Sequence, residues 1–394
     1  MLLHQLAPAM SKRLAAALLA FALLSCATSS DRALTGPALD AQIEALMARE
    51  QVVGVAVAVI ERGDITHVGA YGLRNRENAL PLETDTIMYG ASVTKAAFAY
   101  MVMQLVDEGR LELDRSIADY LPRPLPAYED YADLAGDERW RQLTARILLT
   151  HRSGLANMRF LEPDQRLRFH FTPGEHYAYS NEGFWILQTV LEQGLGLDIR
   201  AEMQARVFDR FGMTRTSMQW RDDFADNLAD GYATDGAFEP HDRRDNVAAA
   251  GSMDTTITDQ ARMWRAMFAG EGLSDEMRAE WVRAQFPIRT AQKFPTIQFF
   301  NSTDPRGDAI DLAASLVGET WQGPNGRYFS KGGHNDWTGN LVICHETSEC
   351  CLVMLGNSVR AEIIFPEVAA LILGETGFPF WWIYPELQND SASH

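Results

Sequence analysis

The stretch that most constrains the fold of this 394-residue chain runs over residues 92–109. It contains neither Gly nor Pro until Gly109, so it predicts a helix that begins near Ser92 and ends at that glycine. The side chains from Ala96 to Met103 are all apolar, a pattern typical of a helix buried in a core. We therefore expect the other elements to pack around this helix.

Ser92 and Lys95 are three residues apart and share one face of the first turn of this helix. A serine hydroxyl becomes a strong nucleophile when a base removes its proton, and a lysine becomes a base when burial lowers its pKa. The alternative is a helix N-cap followed by a solvated lysine. Composition favours the first interpretation. Arginine fills most basic positions, since only four of the 35 basic residues are lysines: Lys12, Lys95, Lys293 and Lys331. Because Arg cannot deprotonate in a protein and Lys can, a lysine that remains in an apolar helix indicates a chemical role.

Apolar, β-branched runs near both ends of the chain predict strands. Residues 52–61 and 65–73 predict a hairpin, and residues 328–344 and 350–355 predict paired strands. Helices are predicted between and around them at 38–49, 182–194, 199–211, 258–268 and 362–373. This order favours an α/β chain of the α+β type, in which a mainly antiparallel sheet combines N- and C-terminal segments and a mostly helical lobe is inserted. A cleft between the two lobes is the expected ligand site.

The first 25 residues are typical of an export signal. Lys12 and Arg13 precede an apolar run over residues 14–24 that is too short to span a membrane. The sequence Leu23-Leu24-Ser25-Cys26 resembles a bacterial lipobox, in which Cys26 is lipidated; a plain signal peptide cut nearby is the alternative. We expect an exported, periplasmic protein whose membrane contact is an N-terminal lipid anchor.

The charge and the pattern of cysteine and histidine residues argue against a nucleic-acid partner and against a metal site. The formal net charge of −18 argues against a nucleic-acid partner. Cys344, Cys350 and Cys351 flank a predicted turn, so one cross-strand disulfide can form from Cys344 to either of the other two. No His pair has the spacing of metal ligands, and we expect neither a metal site nor a cofactor.

Two further motifs join Ser92-Val93-Thr94-Lys95. Tyr179-Ser180-Asn181 lies on a loop before a helix, and Lys331-Gly332-Gly333 lies on a predicted C-terminal strand. Alone, the first of these would indicate turn packing and a helix cap. In this order and spacing, the three motifs resemble those of the serine β-lactamase and penicillin-recognising family, in its class C and esterase-like branch. Further matching stretches lie at residues 148–155, 171–174, 211–214 and 249–253.

The resemblance covers about residues 38–385 and implies a β-lactamase-like fold. Together with the export signal, it divides the chain into a signal peptide at 1–25, a linker at 26–37, a catalytic domain at 38–388 and a tail at 389–394. Within the catalytic domain, the sheet lobe spans about 38–95 and 245–388, and the helical lobe spans about 96–244.

His151, in the last turn of a short helix that precedes Gly154, is interpreted as structural.

The resemblance also implies roles for four side chains. Ser92 is the acylated nucleophile and Lys95 its partner base. Tyr179 passes protons to the leaving group and later activates water. Lys331 steers a substrate carboxylate and lowers the pKa of Tyr179, since a phenol needs nearby cations to act as a base at neutral pH.

Further residues are implied to bind the substrate. The backbone N–H groups of Ser92 and His334 form the oxyanion hole, where each donor is worth ~3–4 kcal/mol. Asn181 contacts the acyl side chain of the substrate, and Gly332, Gly333 and His334 border it on the strand.

The sequence departs from the family pattern after the strand lysine. β-Lactamases usually carry Thr or Ser there, whose hydroxyl holds the substrate carboxylate, whereas this chain carries Gly332. The next residues, His334-Asn335-Asp336-Trp337, are not the usual small ones, and the His334 side chain either enters the cleft or points away from it. Both departures disfavour efficient β-lactam hydrolysis and leave acyl-enzyme chemistry intact.

The sequence thus predicts an exported serine acyl hydrolase that forms an acyl-enzyme on Ser92 and cleaves a small ester, amide or peptide. A true β-lactamase or D-alanyl-D-alanine carboxypeptidase is the first alternative. A catalytically silent homologue that binds cell-wall peptides or a protein is the second. A Ser-His-Asp hydrolase is disfavoured, because Thr94 occupies the position of the second glycine of a nucleophile elbow.

Overall fold

The computed structural model of the protein describes residues 36–385. The predicted signal segment, the lipobox with Cys26 and the predicted tail lie outside the described residues. Within the described range, no helix has the length and apolarity needed to cross a membrane.

The strands of the described part belong to one large sheet and two small ribbons. In chain order they are β1 Gly54–Glu61, β2 Asp64–Asn75, β3 Leu80–Pro81, β4 Met88–Tyr89, β5 Gly231–Tyr232, β6 Phe238–Glu239, β7 Asp254–Thr255, β8 Phe286–Pro287, β9 Ala313–Ala314, β10 Glu319–Gly323, β11 Gly326–Asn335, β12 Thr338–His345 and β13 Cys350–Gly356. Among residues 36–385, nine of them form the sheet in the order β3-β2-β1-β13-β12-β11-β10-β9-β8. All of its neighbours are antiparallel.

The helices of the described part are α1 Pro37–Glu50, α2 Thr94–Asp107, α3 Ala145–Leu149, α4 Asn181–Thr189, α5 Ile199–Met203, α6 Ile257–Ala269, α7 Asp275–Val282, α8 Thr296–Phe299, α9 Pro305–Ala309, α10 Ala361–Leu373 and α11 Phe380–Ile383. Helices α1 and α10 pack on one face of the sheet and α6 packs on the other. π-Helical turns continue α4 and α5. The predicted fold class is confirmed: β1, from the N-terminal segment, pairs with β13, from the C-terminal segment.

Strand β1 shows why the sheet is covered on both faces, since successive side chains of a strand point to opposite sides. Val55, Val57 and Val59 pack into an apolar cluster with α1 and α10. Ala56 and Ala58 pack into the cluster that surrounds α2. Each fully buried Val side chain contributes about 1.5–3 kcal/mol, so the doubly apolar pattern of β1 fixes it at the centre.

Helix α2 is the buried helix that the sequence predicts. Every side chain from Thr94 to Leu105 is buried. A short 3₁₀ turn, Ala91–Val93, precedes it and carries Ser92. Ser92, the candidate nucleophile, therefore lies immediately before the N-terminus of this buried helix.

The predicted strand at 328–344 is in fact two strands, β11 and β12, joined by a tight turn. Asn335 Oδ1 accepts a hydrogen bond of 2.9 Å from the Trp337 backbone N–H, which makes an Asx turn that was not predicted from the sequence. This turn folds the strand back on itself.

The disulfide that the sequence left open joins Cys344 to Cys351. The two residues lie directly opposite each other on β12 and β13. Cys350, one position along, pairs across the strands with His345, and its side chain points to the other face of the sheet.

Candidate active site

The turn that carries Ser92 is held by hydrogen bonds at both of its ends, at Gly90 and at Thr94. Gly90 N–H donates to the Met253 carbonyl at 2.9 Å. The Thr94 hydroxyl donates to the Ala91 carbonyl at 2.6 Å and accepts from Met253 N–H at 3.2 Å. Ala91 has a positive φ of 46°, which a side chain rarely adopts. Thr94 therefore clamps a strained turn that presents Ser92 at the start of α2.

Lys95 is buried within hydrogen-bond distance of the Ser92 hydroxyl. Its Nζ lies 3.0 Å from Ser92 Oγ and donates to the Ala250 carbonyl at 2.6 Å. Burial, and then repulsion from Lys331 and Lys293, lower the pKa of Lys95 well below its ordinary value. The neutral amine that results is the form able to take a proton from the serine.

Three lysines surround the buried ring of Tyr179. The Nζ atoms of Lys95, Lys293 and Lys331 lie 5.1, 5.0 and 5.2 Å from its centroid. Burial nevertheless raises the pKa of Tyr179, and the neighbouring Ser92 side chain opposes this only in part. The expectation that nearby cations lower the pKa of this phenol is therefore wrong for the free protein, because desolvation dominates. Tyr179 is a neutral phenol that can donate a proton.

His151 fixes the loop of Tyr179. Its ring stacks on that of Tyr179 at a centroid distance of 4.0 Å. Its carbonyl accepts from Ala178 N–H at 2.9 Å, and its Nδ1 accepts from Ser180 N–H at 3.1 Å. These two hydrogen bonds hold the backbone on either side of Tyr179. The structural role of His151 is therefore to position the loop that carries Tyr179.

Lys331 lies on β11 and reaches the same ring. Burial lowers the pKa of Lys331 to about 7, with attraction by Glu319 opposing this and repulsion by Lys293 adding to it. Its side chain passes Gly318, where a Cβ atom would lie 3.2 Å from Lys331 Cδ and 2.3 Å from the Ser330 carbonyl. A larger residue at position 318 would therefore displace the strand or the lysine.

Gly332 and Gly333 differ in the space around them. A Cβ atom on Gly333 would lie 2.7 Å from the Gly90 carbonyl and 3.1 Å from Ser92 N, whereas one on Gly332 would meet only the Asn340 carbonyl, at 3.5 Å. Close approach of β11 to the Ser92 turn thus requires glycine at 333 and not at 332.

This approach gives β11 the position that an oxyanion hole needs. Strand β10 pairs with β11 only as far as Ser330, so the edge of β11 from Lys331 onward is not covered by that strand. The backbone of this edge lies beside Ser92 N, as the Gly333 geometry shows. The predicted donors, the N–H groups of Ser92 and His334, belong to these two segments.

Asn181 and His334, two predicted substrate-binding residues, have different environments in the structure. Asn181 begins α4; its Oδ1 atom is buried and has no hydrogen-bond partner among the described residues. The side chain of His334 is about half exposed and its Nδ1 lies 2.9 Å from Glu362 Oε1 on α10. Strand alternation directs it to the face of the sheet opposite Tyr179, so of the two alternatives the structure has His334 pointing away.

Two buried residues of this site, Lys293 and Glu319, were not predicted from the sequence. Lys293 Nζ donates to Glu319 Oε1 at 2.6 Å, and both side chains are buried. The scarcity of lysine, the signal that identified Lys95, applied equally to Lys293. No sequence signal marked Glu319, because only the pairing of β10 with β11 brings it close.

The chain matches a family model described as Beta-lactamase over residues 39–370. Among curated proteins, it is 30% identical over 213 residues to Esterase EstB of Burkholderia gladioli, covering 48% of this chain and 52% of that protein. It is also 30% identical over 185 residues to Penicillin-binding protein 4 of Amycolatopsis lactamdurans, covering 44% and 46%. The chain thus spans about half the length of the curated relatives it matches.

Solved structures share the fold at low sequence identity. The octameric penicillin-binding protein homologue from Pyrococcus abyssi matches with a TM-score of 0.67 and 19% identity, covering 89% of this chain and 80% of that one. D-alanine carboxypeptidase AmpC from Burkholderia cenocepacia matches with a TM-score of 0.65 and 20% identity, covering 85% and 97%. At this identity the likeness concerns the fold alone.

Proposed function

This chain belongs to the beta-lactamase family, and on that premise we propose that it is a serine acyl hydrolase that forms an acyl-enzyme on Ser92. The observation that carries the proposal is the position of Ser92 Oγ, 3.0 Å from the Nζ atom of Lys95, a buried lysine that also lies over the ring of Tyr179, 5.1 Å from its centroid. A catalytically silent binding protein would have no need of nucleophile, base and proton donor together.

In the proposed reaction, Lys95 Nζ takes the proton of Ser92 Oγ while that oxygen attacks the substrate carbonyl. The backbone N–H groups of Ser92 and His334 donate to the oxyanion, at ~3–4 kcal/mol each. Tyr179 gives its proton to the leaving group as the scissile bond breaks and regains one from Lys95. Water then attacks the acyl-enzyme, with the same groups carrying its proton in the reverse direction.

We propose a small neutral ester as the preferred substrate, ahead of a β-lactam. Gly332 leaves the site without the hydroxyl that would hold a substrate carboxylate, and a hydrogen bond to a charged group is worth ~1.5–3 kcal/mol. The similarity to an enzyme named esterase supports this order. The buried cation of Lys331 favours the second candidate, a β-lactamase or D-alanyl-D-alanine carboxypeptidase, whose substrates carry a carboxylate.

Substrate preference tests this order. Wild type is expected to hydrolyse p-nitrophenyl butyrate and to turn over nitrocefin weakly or not at all. Gly332→Thr should raise kcat/KM for nitrocefin about ten- to a hundred-fold relative to the ester, since the added side chain meets only the Asn340 carbonyl at an ordinary contact distance. The measurement is kcat/KM for both substrates.

Gly332→Ala is the matched control, because it adds a Cβ without a hydroxyl and should leave the nitrocefin rate unchanged. Ser92→Ala should remove both activities. If wild type turns over nitrocefin far faster than the ester and Ser92→Ala abolishes both, the protein is a β-lactamase and the proposed order is wrong.

We also propose that the protein is exported and anchored by a lipid on Cys26, a residue outside the described range. The basic residues, the apolar run and the lipobox-like sequence before it support the proposal. Cys26→Ser is expected to move the protein from the membrane fraction to the soluble periplasmic fraction of a bacterial host. Wild type found wholly in the soluble fraction would exclude the anchor.

A further inference from the structure

Of the three lysines that surround Tyr179, Lys95 is the proposed base and Lys331 the proposed cation for a substrate carboxylate, whereas Lys293 has no role in the proposed reaction. Lys293 lies between β8 and α8, its Nζ is 5.0 Å from the Tyr179 ring centroid, and only 5% of the residue is exposed. A buried lysine has to be paired, and Lys293 pairs with Glu319 at 2.6 Å. This pair lies directly beside the proposed proton donor.

Glu319 faces two lysines but is hydrogen-bonded to one of them. It lies on β10 opposite Ser330, the residue before Lys331. Its Oε1 accepts from Lys293 and, at 3.4 Å, from the Tyr177 hydroxyl. Its Oε2 is buried with no hydrogen-bond partner in the described range. The carboxylate attracts Lys331 without a hydrogen bond to it among residues 36–385.

We propose that Lys293 is a positioning residue: by binding Glu319 it keeps that carboxylate from pairing with Lys331, whose ammonium group stays directed at Tyr179 and at an anionic group of the substrate. The inference rests on the proposed function for its catalytic meaning. Its structural content, the competition of two lysines for one buried carboxylate, does not depend on that function.

The competition predicts shifts of opposite sign in the pKa of Lys331. The charged or titratable groups that face Lys331 are Tyr179 before α4, Lys95 on α2, His151 after α3, Lys293 after β8 and Glu319 on β10. In Lys293→Met, a repelling charge is lost and Glu319 becomes available to Lys331, so the pKa of Lys331 rises. In Glu319→Gln, the attracting charge is lost, so that pKa falls. Each shift is expected to be about one pH unit.

Lysine labelled with ¹³C at Cε measures these shifts directly by NMR, because the sequence holds only four lysines. The Lys331 resonance is assigned by its loss in Lys331→Met and followed from about pH 5 to about pH 10. Its midpoint should move up in Lys293→Met, down in Glu319→Gln, and stay near that of wild type in Lys293→Arg, which keeps the ion pair. Midpoints that move in the same direction in the first two variants, or in neither, would overturn the proposal.

Removing one partner of a buried ion pair is strongly destabilising, so Lys293→Met is accompanied by the double variant Lys293→Met/Glu319→Gln, which removes both charges of the pair. If the single variant does not fold, Lys293→Gln takes its place, because it removes the charge that holds Glu319 but keeps a hydrogen-bond donor, and its Lys331 midpoint should also rise. An unchanged midpoint in Lys293→Gln would overturn the proposal. The double variant, compared with Glu319→Gln, measures the repulsion between Lys293 and Lys331 alone.

Kinetics separate this proposal from the proposed function. In Lys293→Met, kcat/KM should fall about ten-fold or more for an ester that carries a carboxylate, and less for neutral p-nitrophenyl butyrate. Equal losses for the two esters would contradict the proposal. A wild type that hydrolyses neither ester and is not acylated on Ser92 would refute the proposed function, while the lysine titration would still decide the role of Lys293.

Discussion

Replacement of Lys95 by arginine is expected to lower the rate of acylation at least about a thousand-fold, nearly as much as Ser92→Ala. Arginine keeps the positive charge but cannot become a neutral base, and residues that act as a unit are not additive when removed. The structure strengthens this expectation, because burial and two neighbouring lysines lower the pKa of Lys95. The measurement is the burst of p-nitrophenol from p-nitrophenyl butyrate, recorded for each variant.

Lys95 is 1% exposed, so the bulkier arginine could act by disrupting the fold. Lys95→Met, which is similar in size and uncharged, is the control for this effect, and thermal unfolding of both variants reports on folding. A folded Lys95→Arg protein that retains more than about a tenth of the wild-type rate would exclude Lys95 as the base.

Tyr179→Phe is expected to slow acylation by alkyl esters about 10²- to 10⁴-fold, the usual contribution of a general acid. The change keeps the ring that stacks on His151 and contacts the three lysines, and it removes only the hydroxyl. Because burial raises the pKa of Tyr179, the phenol holds its proton until the leaving group needs it. The loss should be much smaller for p-nitrophenyl butyrate, since p-nitrophenolate leaves without protonation.

Tyr100→Phe is the matched control for this change. Tyr100 is buried on α2, and its hydroxyl donates to the Glu271 carbonyl at 3.0 Å. The Tyr100→Phe substitution should lower stability more than it lowers turnover. Equal losses for alkyl and aryl esters in Tyr179→Phe would show that the phenol does not act as an acid on the leaving group.

The pH dependence follows from the same environment. Lys95 must be neutral to act as a base, so acylation should fall as pH decreases through its lowered pKa. Lys331 must be charged to bind a carboxylate, so hydrolysis of anionic esters should fall as pH rises above about 7. Neutral esters should lack this second decline.

The sequence was most informative where a pattern is local. The apolar segment after Ser92 predicted the buried helix α2, and the continuous apolar run at residues 52–61 predicted strand β1. The short strands β8 and β9 at one end of the sheet, two residues each, carry no such pattern and were missed. The turn at Asn335 was also missed, because the strands on both sides of it read as one run.

The site was predictable in its three motifs and not in its electrostatics. Whether a cation lowers the pKa of a phenol depends on how deeply both are buried, and Tyr179 is fully desolvated in the folded chain. Glu319 and Lys293 meet Lys331 only through tertiary structure. The direction of the His334 side chain toward Glu362 could not be predicted from the sequence, because it depends on which face of β11 packs on α10.

The central claim, that Ser92 is an activated nucleophile, is tested most directly by intact-mass spectrometry after reaction with a fluorophosphonate probe. Wild type is expected to gain one phosphonyl group, located on Ser92 by peptide mapping, while Ser92→Ala gains none and Lys95→Arg reacts far more slowly. A wild-type protein that is folded and gains no adduct, or an adduct that persists in Ser92→Ala, would contradict the account.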